Sequence, residues 1–293
     1  MKIAFTDFWA HCDIPGVGTC LGFNPNHNML LDMVRVLRND VEVVAPEHAD
    51  VLFYSCYSQN HRRFSKDRVK KIFFTGENLR PNFNDCHYAL SFDFDDYGGR
   101  NIRFPLWMMQ IDWFGKKGYE NPQYVFPVQY VDGPNPFKEK PKDLFASSVF
   151  NNHFPNRVSI CKKLNEYKQT DIYGRPTGNW SYGEDRKLEN ISRYKFNICF
   201  ENTDFPGYNT EKLIQARVAG CIPLYWGSTA VDRDFNPAAY LNMADFPSED
   251  AFVEKIKQVD NDPAMASAIL NAPLFADYTP KFESVLEKLN GIL

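Results

Sequence analysis

The sequence predicts an α/β protein made of two similar Rossmann-like domains facing across a cleft. Short apolar runs recur along the chain, stretches with helical spacing lie between them, and a proline- and glycine-rich break near the middle interrupts a pattern that then resumes. In the first half the strand candidates are 2–8, 41–45, 51–55, 71–75 and 88–92. Between the first two, segment 28–38 places Met29, Leu30, Met33, Val34 and Leu37 on one face, the spacing of a helix with one buried side. Strands separated by such helices pair in parallel, and ligands of such sheets bind in clefts at the strand ends.

The break is segment 115–142, where Pro122, Pro127, Pro134, Pro136 and Pro141 join Gly115, Gly118 and Gly133. Their fixed or permissive backbones disrupt any regular element, so a domain boundary is expected there, giving domains 1–140 and 141–293. Beyond it the strand candidates are 144–150, 195–200 and 221–225, and the helix candidates 156–168, 210–219, 248–259 and 280–291. The last helix is free to pack back on the N-terminal domain. A length of 293 residues suits two domains and gives enough chain for a real core.

Composition removes several function classes. Net charge is −4, and the densest basic patches, 62–71 and 138–142, are short, so a nucleic-acid partner is disfavoured. The seven cysteines are odd in number, form no CxxC, and include Cys199 and Cys221 inside apolar runs. They read as reduced, buried small hydrophobes, and the setting as cytoplasmic. The six histidines are scattered, which argues against a structural metal site. No run approaches the ~18 apolar residues of a membrane span, and no signal-peptide pattern opens the chain. The sequons at Asn179 and Asn190 therefore carry little weight. No basic amphipathic tail follows the last helix, so a compact soluble enzyme is expected, with peripheral contact at the inner membrane as the alternative.

Segment 195–228 is the densest in chemistry. An apolar strand ends in Glu201, Asn202 and Thr203, and a turn with Pro206 and Gly207 follows. Asn209 or Thr210 can then cap a helix whose first turn holds Glu211 and Lys212 and which Gly220 closes. A helix start offers unpaired N–H donors and a partial positive charge, which suit a diphosphate. Lys212 opposes the helix dipole there, a local conflict that points to function; the bland alternative is a solvent-exposed lysine. Glu211 suits the dipole and can accept hydrogen bonds from a diol. Tyr208 is either a stacking ring for a base or sugar, or a hydrophobic staple.

Two further patterns compete. Asp93 and Asp95 stand on alternate residues, the spacing of a DxD pair that holds a divalent ion in metal-dependent sugar transferases; acidic loops after strands are equally common. Gly16, Gly18 and Gly22 follow the first strand like a phosphate loop, but their spacing is GxGxxxG, and a flexible acceptor-side loop fits better. Trp9, His11, Phe23 and Tyr57 are candidates to touch a sugar, although each also fits a core.

Three motifs, FENT at 200–203, GYNTEK at 207–212 and IPLYWGS at 222–228, run on into STAVDRDFNPAAYLN at 228–242. In order and spacing they resemble the donor-binding block of the bacterial-type α1,3/4-fucosyltransferase family. IFFTGENLRPNFNDCHYALSFD at 72–93 and RFPLW at 103–107 are similar to its upstream block. The resemblance covers roughly 70–107 and 145–246, leaving the first 65 residues and the last 45 without a legible match. It implies a GT-B fold, with the acceptor on the N-terminal side and GDP-fucose on the C-terminal side. It also implies inverting transfer of L-fucose to O3, with O4 left open, of the GlcNAc or glucose in N-acetyllactosamine- or lactose-type glycans. The resemblance further implies that no cofactor is required and that a divalent metal is at most stimulatory. By the same resemblance Glu77 is the general base, Glu211 and Lys212 contact the donor sugar or ribose and the diphosphate, and Asn202 and Tyr208 join the donor site. Arg157 grips the diphosphate. The chemistry fits these residue types: a hydroxyl nucleophile gains from one base, and diphosphate leaves readily once its charge is neutralised. The competing readings are a metal-dependent transferase using Asp93 and Asp95, and a sugar-nucleotide- or glycan-binding module without turnover.

Overall fold

The computed structural model describes residues 1–14, 18–174, 177, 184–275 and 281–293. The chain divides into two compact units, 1–125 together with 281–293, and 126–280.

The first unit is built on six parallel strands. Its strands are β1 (Lys2–Thr6), β4 (Glu42–Val43), β5 (Val51–Tyr54), β6 (Lys70–Phe74), β7 (Tyr88–Ser91) and β8 (Asn101–Arg103), in the order β4-β1-β5-β6-β7-β8. The short pair β2 (Cys12–Ile14) and β3 (Gly18–Cys20) is antiparallel and separate. β5 is buried at all four positions, the signature of a strand covered on both faces. Helix α1 (Met29–Leu37) follows the expected 28–38 spacing and buries Met29, Leu30, Leu31, Met33 and Val34. Its N-cap is Asn28, whose side chain accepts from the Leu31 N–H at 2.8 Å.

The second unit carries a five-stranded parallel sheet ordered β10-β9-β11-β12-β13. Its elements in chain order are β9 (Leu144–Val149), α2 (Pro155–Tyr167), β10 (Thr170–Tyr173), α3 (Glu184–Ile191), β11 (Tyr194–Phe200), α4 (Glu211–Val218), β12 (Ile222–Trp226) and β13 (Leu241–Asn242). Helices α5 (Glu249–Asn261) and α6 (Pro263–Asn271) follow. Its core gathers Phe196, Ile198 and Phe200 of β11 with Ile160 and Leu164 of α2 and Phe252, Ile256 and Val259 of α5. The last helix, α7 (Phe282–Ile292), belongs to the first unit. There Phe282 stacks on Trp113 at 4.4 Å, and Asn290 accepts from Arg38.

The units divide at 125/126, earlier than the boundary expected at 140. Segment 126–142 is irregular, as its prolines require, but its side chains are committed to the second unit. Asp132 accepts from Arg217 at 3.3 Å and from the Leu274 N–H at 2.7 Å, and Lys142 donates to the Ala219 carbonyl at 2.6 Å. The expected strands are found at or near their expected positions. β8, β10 and β13 carry no legible apolar run: they are two to four residues long and lie at or next to sheet edges. Sequon Asn179 lies outside the described residues, and Asn190 is on α3. Among the described residues no helix is long and apolar enough to cross a membrane. The described cysteines Cys56, Cys86, Cys161, Cys199 and Cys221 are free thiols, and burial pushes the Cys221 thiol up to about 12.

Candidate active site

In each parallel sheet, the chain steps to one side of its first strand and then crosses to the other. This leaves a switch point between β1 and β5 in the first unit and between β9 and β11 in the second. Ligands of open α/β sheets bind at the carboxyl ends of such strands. Arg157, Asn202, Tyr208, Glu211 and Lys212 follow β9 and β11 in sequence, and Glu77 follows β6, next to β5.

In the second unit, β11 ends at Phe200 and the chain turns sharply at Glu201, whose N–H donates to the Trp226 carbonyl at 2.8 Å. Glu201 is 1% exposed, and its carboxylate accepts from the Thr210 N–H and hydroxyl, both within 2.9 Å. It also accepts from Lys212 Nζ at 2.9 Å. Lys212 lies 3.6 Å from Glu211, and Lys187 of α3 approaches the same Glu211 oxygen at 3.8 Å. Burial opposes the charge on Glu211, but Lys212 and Lys187 outweigh it and hold the carboxyl down at about 2. Burial likewise opposes the charge on Lys212, and Glu201 and Glu211 overcome it, raising the ammonium above its ordinary value. Lys212 is therefore not the solvated lysine of the bland reading. The buried Glu201 offsets the unfavourable dipole placement.

Arg157 sits in the first turn of α2 and is 2% exposed. Its Nε donates to the Phe200 carbonyl at 3.1 Å and its Nη2 to Asn202 Oδ1 at 2.9 Å, so the guanidinium and Asn202 meet beside Glu201. Burial lowers its pKa despite the nearby charges of Glu201 and Glu211. Arg157, Asn202, Glu211 and Lys212, separated by up to 55 residues, thus form one cluster around Glu201.

Two details differ from the sequence reading. Thr210 is the N-cap of α4, but its hydroxyl makes no capping bond because Glu201 engages it. Asn209 is likewise turned away, donating to Asp234 at 2.5 Å and accepting from the Tyr225 hydroxyl at 3.0 Å. The start of α4 therefore receives no hydrogen bond from its N-cap side chain. Tyr208 is 3% exposed, so its ring presents no open face for stacking here and packs as a buried residue.

Gly227 holds this cluster closed. Its φ of +156° favours glycine, and a Cβ there would stand 2.7 Å from Glu201 Cγ and 2.8 Å from the Tyr225 hydroxyl. Gly227→Ala is expected to displace Glu201 and cost about 1–3 kcal/mol, read as a lower midpoint in thermal or urea unfolding.

In the first unit, Asp7, Tyr57 and Glu77 follow the neighbouring strands β1, β5 and β6. Glu77 is half-buried. Its N–H donates to Thr75 Oγ1 at 3.0 Å, and its Oε1 accepts from the Tyr57 hydroxyl at 3.0 Å. Trp9 meets the Tyr57 ring edge-on at 5.9 Å and the Phe23 ring at 5.5 Å, so three of the four sugar-contact candidates share one aromatic group. The fourth, His11, is exposed and accepts from the Gly22 N–H at 3.0 Å through Nδ1.

The competing patterns resolve differently. Asp93 accepts from the Tyr97 hydroxyl at 2.6 Å and pairs with Arg80 at 3.1 Å, while Asp95 accepts from the Tyr97 N–H at 2.8 Å. These carboxylates shape a turn, and among the described residues no three His, Cys, Asp or Glu side chains gather as a metal site. Gly16 lies outside the described residues. Gly22 has a packing reason of its own, since a Cβ there would stand 2.6 Å from the His11 backbone nitrogen.

Comparison with known proteins decides the family. Residues 3–110 match the "Alpha-(1,3)-fucosyltransferase FucT N-terminal domain", and residues 136–268 match "Glycosyltransferase family 10 (fucosyltransferase) C-term". The chain belongs to the family 10 fucosyltransferases. The first match contains Glu77 and the second contains Arg157, Asn202, Tyr208, Glu211 and Lys212. The family match begins at residue 3, so it takes in most of the first 65 residues, whose motifs show no legible resemblance. The chain is 34% identical to the alpha-(1,3)-fucosyltransferase FucT of Helicobacter pylori over 72% of its own length and 48% of that protein. It is 31% identical to the 4-galactosyl-N-acetylglucosaminide 3-alpha-L-fucosyltransferase FUT6 of Pan troglodytes, over 86% of its own length and 64% of that protein. It thus spans about half the length of the bacterial relative. A crystal structure of an alpha1,3-fucosyltransferase with GDP-fucose matches all of this chain and 90% of its own, with a TM-score of 0.69 at 26% identity. A second crystal structure of an alpha1,3-fucosyltransferase gives 0.71 at 25% identity, over all of this chain and 89% of its own. The fold of this family 10 chain is accordingly GT-B.

The sequence names Glu201 only as the end of a strand and gives no role to Lys187 or Asp7. Glu201 was legible in principle, as the residue between an apolar strand and Asn202. Lys187 and Asp7 act through contacts that no local pattern announces.

Proposed function

We propose that this chain is an inverting α1,3-fucosyltransferase. It moves L-fucose from GDP-fucose to O3 of the GlcNAc or glucose unit of N-acetyllactosamine- or lactose-type glycans. The observation that carries the reading is the second-unit cluster, where Lys212 and Arg157 meet the uncapped start of α4 beside Asn202 and Glu211. Two cations at a helix start suit a diphosphate leaving group. Family membership and the names of the relatives favour fucose and a GlcNAc-type acceptor.

In this mechanism the second unit binds the donor, with Lys212, Arg157 and the α4 N–H groups on the diphosphate. Glu211 and Asn202 bind sugar or ribose hydroxyls. The first unit supplies Glu77. The acceptor O3 attacks fucose C1 from the face opposite GDP. The new C1–O bond forms as the C1–O(phosphate) bond breaks, and the hydroxyl proton passes to the Glu77 carboxylate. GDP leaves with the bonding pair, its charge balanced by Lys212 and Arg157. No metal ion is required in this scheme.

A donor and acceptor panel read by mass tests the reading: GDP-fucose, GDP-mannose and UDP-galactose against lactose and N-acetyllactosamine, with and without EDTA. Transfer is expected only from GDP-fucose and in either condition. Abolition by EDTA would favour the Asp93–Asp95 metal reading, and transfer only from a UDP sugar would overturn the donor assignment.

A further inference from the structure

Tyr57 lies at the carboxyl end of β5, between the ends of β1 and β6. The residue is 47% exposed, yet its hydroxyl is directed at Glu77 Oε1, 3.0 Å away. Two features hold that direction. The Tyr57 N–H donates to the Asp7 carbonyl at 3.0 Å, and the Trp9 ring meets the Tyr57 ring edge-on. Asp7 itself is held in an unusual backbone state, with φ +61°. Its carboxylate collects the loop after Tyr57, accepting from Ser58 Oγ, from the Asn60 N–H at 2.9 Å, and from the His61 N–H and Nδ1 at 2.8 and 2.6 Å. Those bonds lower the Asp7 pKa against its burial, so the anchor stays ionised. One strand end thus grips the loop, and the loop aims one phenol at one carboxylate.

We infer that Tyr57 is the positioning residue for the Glu77 carboxylate, its hydroxyl fixing Oε1 so that Oε2 receives the acceptor proton. The inference rests on Glu77 being the general base. A freely rotating carboxylate must be ordered at each turnover, whereas one held by a directed donor is ordered in advance. Tyr57 keeps its own proton throughout. Burial of the phenol, reinforced by the charge of Glu77 and by Cys56, raises its pKa well above the usual tyrosine range, so it remains a donor. The proton removed from the acceptor therefore ends on Glu77.

The charged and titratable groups around this pair are Cys56 on the same loop, whose thiol lies 3.7 Å from Thr75 Oγ1, and Asp7 with His61 at the loop's anchor. The test is Tyr57→Phe, which keeps the exposed ring and removes one oxygen. Misplacing a reacting group by about an ångström costs on the order of 10²-fold, so a roughly ten- to hundredfold fall in kcat/KM is expected, with KM for GDP-fucose unchanged. The loss is expected in kcat rather than in KM for either substrate, a split that a purely structural role would not give. In a Glu77→Gln background the same change should add nothing further. A Tyr57→Phe enzyme with wild-type kcat, alongside an inactive Glu77→Gln, overturns the inference and leaves the base in place. An active Glu77→Gln removes the base itself.

Discussion

Glu77→Gln is expected to lower fucosyl transfer by about 10²–10⁴-fold while GDP stabilises the variant thermally as it does the wild type. The substitution keeps the size of the side chain and an oxygen for the Tyr57 hydroxyl, and it leaves the Thr75 contact, made by the backbone, untouched. What it removes is the capacity to take a proton. The diphosphate contacts proposed for Lys212 and Arg157 lie in the other unit, so GDP binding has no reason to change. Rates measured at saturating donor, together with melting curves with and without GDP, check both halves. Near wild-type transfer would take Glu77 out of the role.

Lys212→Met is expected to act on stability as well as on the donor. Glu201 is almost wholly buried, and Lys212 is its ion-pair partner at 2.9 Å; Thr210 supplies only neutral donors. Removing one member of a buried pair leaves an uncompensated charge, at about 3–5 kcal/mol. For a chain of this size that corresponds to a fall in melting temperature on the order of 10 °C. GDP should also stop raising the melting temperature of the variant. The double variant Glu201→Gln/Lys212→Met separates the two effects. With both members of the pair neutral it should regain much of the stability, but GDP should still fail to stabilise it. Recovery of the GDP effect in the double variant would show that Lys212 serves the fold alone.

The two variants trace back to different kinds of legibility. Glu77 and Lys212 were visible because each sits in a short, ordered motif, TGEN after an apolar run and GYNTEK before a helix. Strand ends in parallel sheets are where such motifs do chemistry, so the sequence also told where in the fold to expect them. The helix starts were less legible. Asn209 and Thr210 have the right chemistry to cap α4, but the burial of Glu201 redirects Thr210, and Asp234 with Tyr225 redirects Asn209. Local preference lost to tertiary hydrogen bonds that burial makes obligatory. Tyr208 was ambiguous for the same reason: whether a ring before a helix is a platform or a buried residue depends on what covers it, and here it is covered.

By itself the sequence determined the α/β class, most of the strands, the helix face of α1 and the short list of chemically active residues. Each of these depends on spacing within about ten residues. Only the tertiary structure decided that segment 126–140 joins the second unit, that the Asp93–Asp95 carboxylates close a turn, and that Arg157 meets Asn202 across 45 positions of chain. It also decided that Tyr57 points at Glu77. Those outcomes are set by which strands lie side by side, and strand order is a long-range property that no short window of residues encodes.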